Sequence, residues 1–68
     1  MQLQVVNSGN VEAIGYDASS SVVHVLFKDN TYYKYANVPF GVYDGLVKSQ
    51  SKGSYLSRMA KLYKGEKQ

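Results

Sequence analysis

The strongest constraint on this chain is that its 68 residues must build one small core without a disulfide, because the sequence contains no cysteine. A chain of this length buries only about 60% of the surface that its unfolded form exposes, so its stability is marginal. Seven of the residues are nonetheless tyrosines, more aromatic surface than so small a core easily buries. Tyrosine tolerates a wet edge, because its ring packs while its hydroxyl forms hydrogen bonds. The surplus predicts a binding surface or a contact between subunits.

The size of the chain also bears on its organisation. We expect one domain spanning residues 1–68, with a core over about 10–63, since this length allows no more. Small scaffolds often supplement a weak core by self-association, so we expect a homo-oligomer, either a dimer or a tetramer. The first residues do not resemble a signal peptide, and no run of roughly 20 apolar residues is present. The sequence therefore predicts a cytoplasmic protein with no membrane partner.

Charge is distributed unevenly along the chain, whose net charge is +3. Residues 1–47 carry two lysines and four carboxylates, which give this segment a net charge of −2. Residues 48–68 carry six basic side chains and one carboxylate, Glu66, which give this segment a net charge of +5. A basic C-terminal third favours an anionic partner such as a phosphate. The same lysines are also typical of a solvated helix face near a helix C-terminus, where the helix dipole favours them.

Alternating apolar residues predict three antiparallel strands and a fourth at an edge, over residues 11–17, 22–27, 31–35 and 3–6 respectively. In the strand over 11–17, simple alternation places Val11 on the face opposite Ile14. Asp29-Asn30 separates two of the strands and tolerates the left-handed backbone of a tight hairpin. The pattern is that of a meander in which each strand pairs with the next.

Helical spacing begins after Pro39, which ends the sheet because proline cannot donate to a strand ladder. A short first helix is predicted by Phe40, Tyr43, Leu46 and Val47. Ser49 to Gly53 separates it from a second, amphipathic helix of about three turns, predicted by Tyr55, Leu56, Met59, Leu62 and Tyr63 and ending at Lys64-Gly65. We therefore predict an α+β fold: a three- or four-stranded antiparallel meander followed by two short helices packed on one sheet face.

The sequence does not predict an enzyme. Its one histidine, His24, falls in mid-strand, where a histidine is far more often packed than catalytic. Asp17, Asp29 and Asp44 fall at turns or helix starts, where carboxylates cap backbone donors. No glycine-rich phosphate loop is present. We predict a binding protein with no cofactor and no metal.

One sequence feature above background is Tyr33-Lys34-Tyr35. Tyr33 and Tyr35 project from the same face of the strand. They could form a stacking platform for bases. The favoured alternative is that both are core residues packed under the helices. Tyr32 and Lys34 lie on the other face. We assign these two residues to a subunit interface or a secondary ligand contact.

A second feature is Ser51-Lys52-Gly53 at the start of the last helix. Free backbone N–H groups and the helix dipole bind anions at such a position. Ser51 offers a hydroxyl, Lys52 a charge, and Gly53 a close backbone approach, while Arg58 lies one turn further on. A serine N-cap followed by a turn glycine explains the same residues without any ligand.

Several short motifs follow one another in a characteristic order: Ile14-Gly15-Tyr16-Asp17, an aliphatic strand ending at Phe27, Tyr33-Lys34-Tyr35, Val38-Pro39, Val42-Tyr43 with Leu46, Ser51-Lys52-Gly53 and Tyr55-Leu56. On these motifs, over about residues 10–63, the chain resembles the KTSC domain family, named after the C-terminal appendage of some lysyl-tRNA synthetases. It departs from the family at Asp29-Asn30, where glycine is usual, and at Leu56-Ser57, where phenylalanine-asparagine is frequent.

The resemblance implies a binding function. RNA binding has been proposed for the family, and standalone copies are common in bacteria and their phages. Small phage proteins include oligomeric sponges that sequester cyclic nucleotide signals of host immunity without cleaving them. We therefore expect a homo-oligomeric sponge for a cyclic di- or oligonucleotide with an anti-CBASS role, or alternatively an RNA-binding module using the same surface. The residues expected to bind the ligand are Tyr16, Tyr43, Ser51, Lys52, Gly53, Tyr55 and Arg58.

Overall fold

A five-stranded antiparallel sheet and two helices make up the computed structural model, which describes residues 2–68. The strands lie in chain order and each pairs with the next. This arrangement confirms the predicted α+β fold and adds a fifth strand that the sequence did not predict. The elements are β1 (Gln4–Val5), β2 (Val11–Asp17), β3 (Val22–Phe27), β4 (Tyr32–Tyr35), α1 (Phe40–Lys48), α2 (Lys52–Leu62) and β5 (Gly65–Lys67).

The β3–β4 hairpin is closed as its sequence predicts. Asn30 adopts a left-handed backbone with φ of 69°. The carboxylate of Asp29 accepts a hydrogen bond from the Thr31 amide at 3.0 Å, and Asp17 likewise accepts from the Ser19 amide at 3.1 Å. The prediction for Asp44 was wrong, because this residue lies inside α1, where it pairs with Lys48 instead of capping a helix start.

A bulge in β2 changes the face on which Val11 lies. The register against β3 shifts between Val11 and Ala13, and the extra residue turns Val11 to the same side as Ile14. Both side chains are fully buried in one core cluster. The predicted separation of Val11 and Ile14 onto opposite faces is therefore wrong, since simple alternation takes no account of an inserted residue.

The two helices are close to their predicted positions, but fewer of their apolar residues are buried. Gly53 is already helical, because α2 begins at Lys52 rather than after the glycine. Phe40 and Leu62, which their spacing assigned to the packed face, are 60% and 76% exposed. Neither helix in residues 2–68 is long and apolar enough to cross a bilayer.

Strand β5 begins almost immediately after α2. The helix ends in an extended Tyr63, and the chain then pairs Gly65 with Tyr35 and Lys67 with Tyr33 on β4. Gly65 does not have the positive φ of a glycine helix cap; its missing side chain instead leaves room for the Tyr35 ring, which a Cβ would overlap. The predicted stop at Lys64-Gly65 is therefore the start of a strand.

The core lies between one face of the sheet and the two helices. It consists of Val11, Ile14, Val23, Val25, Tyr35, Val38, Tyr43, Leu46, Leu56 and Met59. Tyr33 is only partly buried and packs against this cluster. The opposite face of the sheet, here called the open sheet face, carries Ala13, Gly15, His24, Leu26, Tyr32 and Lys34.

We expect Gly45→Ala to destabilise the protein. A Cβ at this position in α1 would collide with the Tyr55 hydroxyl on α2, so either the Tyr55 ring or one of the helices must shift, at a cost of about 1–3 kcal/mol. Gly41→Ala is the matched control, because no atom lies within 4 Å of its Cβ position. Alanine there should raise stability by up to about 1 kcal/mol through helix propensity. Urea denaturation measures both, and equal shifts in the same direction would contradict this packing.

We also expect stability to fall as the pH drops from about 7 to about 5 through protonation of His24. Burial, and then the charge of the facing Lys34, lower the pKa of His24 below its usual value. The ring nitrogen Nδ1 lies 2.9 Å from the hydroxyl of Tyr32, which donates to it in the neutral Nε2–H tautomer. The unfolded chain therefore takes up this proton at a higher pH than the folded chain does.

The measurement is a set of urea denaturation curves across this pH range for the native protein and for His24→Gln. The pH-dependent loss should be smaller in the variant, which cannot be protonated at this position. An NMR titration that gave His24 a pKa above 6.5 would contradict the expectation.

Candidate functional site

The structure separates the predicted ligand residues into three groups. Tyr16 and Tyr43 stack on each other with ring centroids 5.2 Å apart and nearly parallel planes. The Tyr16 hydroxyl donates to the carbonyl of Val38 at 2.7 Å, and Phe40 packs edge-on against the Tyr16 ring at 5.7 Å. Tyr43 belongs to the core, where burial raises the pKa of its hydroxyl. These two tyrosines bind each other and the core.

The second group, at the start of α2, is engaged with the protein itself. The ammonium group of Lys52 donates to the carbonyls of Ser49 at 2.9 Å and Val47 at 3.3 Å. These carbonyls end α1, where a cation is favoured by the helix dipole. Ser51 occupies the N-cap position of α2 without a side-chain capping bond, and its hydroxyl donates to that of Ser54. Lys52 thus links the two helices.

The third group, Tyr55 and Arg58, borders a cavity that is open to solvent. The Tyr55 hydroxyl donates to the carbonyl of Val42 at 2.8 Å, which fixes the ring between the helices. The Arg58 guanidinium lies over that ring, 5.6 Å from its centroid, in a cation–π contact. Their cavity, here called the helix cleft, has a volume of about 230 Å³ and is lined by Val42, Tyr55, Arg58, Met59, Leu62 and Tyr63.

Helix geometry keeps the predicted residues from forming one pocket. At 3.6 residues per turn, Tyr55 and Arg58 lie on one side of α2 and Gly53 lies on nearly the opposite side. Gly53 faces the Asn10 side chain, which would lie 3.3 Å from a Cβ at that position. Tyr32 and Lys34, the predicted interface residues, lie on the open sheet face, away from both helices.

The chemistry of the helix cleft is that of a small amphipathic site. Its walls are aromatic and aliphatic, and Arg58 is the one ionic group that lines it. A planar ring can stack on Tyr55 or on the guanidinium, and a phosphate can pair with Arg58. Residues 2–68 hold no cluster of three potential metal-ligating side chains.

Sequence reasoning missed the part that Leu62 plays in this site. Leu62 was assigned to the packed side of its helix with Met59, yet it is exposed at the mouth of the cleft. The spacing of Tyr55, Arg58 and Leu62, three and then four residues apart, indicates a second helix face beside the core face. A helical projection separates these two faces.

These features define a small α+β domain with one helix-covered sheet face and a solvent-open cleft beside Arg58. The chain belongs to the KTSC domain family, whose model matches residues 7–62.

Two relatives agree with this membership. A protein of Tsukamurella paurometabola is 32% identical over 59 residues, which cover 87% of this chain and 88% of that protein. The crystal structure of a KTSC domain protein from Yersinia pestis superposes with a TM-score of 0.90 at 26% identity, covering 98% of this chain and 96% of the other. The five-stranded sheet with two helices is thus shared with a solved member of the family.

We expect Lys52→Ala to lower stability, and to leave unchanged the affinity for any nucleotide of the class that the sequence predicts as a ligand. The variant loses the two hydrogen bonds to the carbonyls at the end of α1, worth about 1–3 kcal/mol together because the donor is charged. Thermal unfolding measures the change in stability. Calorimetric titration of the same preparations with cyclic nucleotides measures the affinity. A variant of native stability with weakened nucleotide binding would restore Lys52 to the anion site predicted from the sequence.

Proposed function

We propose that this protein is a non-catalytic binding protein that captures a cyclic nucleotide in the helix cleft and sequesters it without cleaving it. The observation that carries the proposal is the Tyr55–Arg58 pair. It places an aromatic ring and a guanidinium side by side at an apolar cavity. Nucleotides combine the same two properties, a flat base and an anionic phosphate.

The ring of Tyr55 is prepared for stacking before a ligand arrives. Its hydrogen bond to Val42 holds the ring in place, and the absence of a side chain at Gly45 leaves room for its hydroxyl. A base entering beside it meets Met59 and Leu62 as apolar walls. Because the ring is already ordered, little conformational entropy is lost on binding.

The size of the cleft favours a half-site. Its volume of about 230 Å³ is below the roughly 300 Å³ at which pockets for complete small molecules begin. One cleft therefore accommodates a base, and the remainder of a cyclic dinucleotide must be held elsewhere. In a symmetric dimer or tetramer, two clefts related by a two-fold axis would each take one base of the ligand. The exposed Leu62 at the mouth of the cleft is available for such an assembly.

RNA binding is the alternative, favoured by the charge of the C-terminal third. Exposed Lys61 and Lys64 follow Arg58 along the chain, and residues 48–68 have a balance of +5. A single strand that contacted several of these groups would lose affinity steeply with added salt. A cyclic nucleotide held by Arg58 and stacking would lose much less. Either function fits a cytoplasmic protein, and sequestration of an immune signal fits a phage-encoded one.

Calorimetric titration tests the proposal. Full-length protein is titrated with a panel of cyclic di- and trinucleotides and with short single-stranded RNA, at low and high salt. We expect saturable binding of at least one cyclic nucleotide, with an affinity reduced about tenfold by Arg58→Gln. Lys64→Gln makes the same charge change at a residue outside the cleft and should reduce affinity less than about threefold.

Three results would overturn parts of this proposal. Binding of RNA alone, with a steep salt dependence, would replace the sponge by the RNA-binding module. Equal losses of affinity in Arg58→Gln and Lys64→Gln would show that the ligand does not bind in the helix cleft. A monomer by light scattering, with and without ligand, would exclude the shared symmetric site.

A further inference from the structure

We propose that a second cavity, lined by strand and loop residues and by none of α2, is a binding site for a planar aromatic anion of the size of a nucleoside monophosphate. This cavity, here called the hairpin groove, has a volume of about 460 Å³. It lies beside the β3–β4 hairpin and is lined by Gly9, Asn10, Phe27, Lys28, Asp29, Thr31, Tyr33 and Lys67. None of these residues lines the helix cleft, so the site is independent of the proposed function.

The hairpin groove has the dimensions of a ligand site. Its volume lies within the range of about 300–1,000 Å³ that is typical of small-molecule pockets. A third cavity, of about 310 Å³, adjoins the hairpin groove and shares Asn10, Phe27 and Tyr33 with it. This third cavity reaches α2 at Gly53 and Ser57. Together the two cavities form a depression that extends from the tip of the hairpin to the helix.

Aromatic rings line the hairpin groove in fixed positions. Phe27 and Tyr33 meet edge to face with centroids 5.8 Å apart. Behind them, Tyr33 stacks on the buried Tyr35 at 6.1 Å with a 21° interplanar angle. Tyr33 is thus held from the core side while part of it faces the groove. A ring already ordered in this way binds another flat ring at little entropic cost.

Two ammonium groups provide the anion preference. Lys28 follows directly on Phe27, and Lys67 is paired across the sheet with Tyr33. The ion pair found in residues 2–68 joins Lys48 to Asp44, so it engages neither of these lysines. Asp29 is the carboxylate of the groove, and its Oδ1 accepts a hydrogen bond from the Thr31 amide. The lining therefore carries a net charge of +1 beside the aromatic rings.

The combination selects the ligand class. Inorganic phosphate would use the lysines and leave the aromatic surface unoccupied, whereas an uncharged aromatic would leave the net positive charge of the groove without a counter-charge. A nucleoside monophosphate meets both requirements, with its base on Tyr33 and its phosphate between Lys28 and Lys67. The Asn10 carboxamide and the Thr31 hydroxyl supply donors and acceptors for the base edge or the ribose.

The test is an amide-resolved NMR titration of the full chain with the four common ribonucleoside monophosphates. We expect at least one of them to shift the amides of Asn10, Lys28, Thr31 and Tyr33 saturably. The corresponding nucleoside and inorganic phosphate should each bind at least about tenfold more weakly. Shifts confined to Met59 and Leu62 would assign the ligand to the helix cleft and overturn the hairpin-groove proposal.

Charge-matched double variants complete the test. Lys28→Ala with Lys67→Ala should weaken binding about tenfold or more, whereas Lys61→Ala with Lys64→Ala should change it less than about threefold. All four lysines are exposed, so neither variant disturbs the core. Equal losses in the two pairs, or no saturation by any monophosphate, would overturn the proposal. Arg58→Gln should leave this titration unchanged, which distinguishes it from failure of the helix-cleft proposal.

Discussion

The fold depends on covering one face of a single antiparallel sheet. Five core side chains project from that face, and five more come from the segment that covers it, including two from each helix. Burying this apolar surface is the main favourable term available to so short a chain. The position of the helix cleft follows from it, because this cleft lies along one flank of α2 as that helix packs on the sheet. The cavity that adjoins the hairpin groove lies along the other flank of the same helix.

Much of the fold could be predicted from the sequence, because its strands and helices follow strong local patterns. The hairpin at Asn30 and the helix start after Pro39 have direct stereochemical causes, and both are where the residues place them. Strand β5 has no such pattern: none of the residues Gly65-Glu66-Lys67 is buried, and the strand is held by its backbone pairing to β4. A strand stabilised in this way is invisible to hydrophobic periodicity.

The candidate sites were less predictable, for a different physical reason. A lysine at a helix start satisfies an external anion or a nearby backbone carbonyl equally well, and only the path of the chain decides which is within reach. Here the end of α1 lies beside Lys52 and engages it. The hairpin groove was not predicted, because Lys28, Asn10 and Lys67 are distant in sequence and none of them belongs to a recognisable motif. Strand pairing alone brings Lys67 next to Tyr33.

The pairing of β5 with β4 also couples order at the end of the sheet to occupancy of the hairpin groove. A three-residue edge strand with no buried side chain separates from its neighbour more easily than the central strands do. Whenever β5 separates, Lys67 leaves the groove. By thermodynamic linkage, a molecule bound between Lys67 and Lys28 would hold the strand in place, and its affinity would in turn include the free energy of forming that strand. Formation of the last strand and binding in the hairpin groove would then stabilise each other.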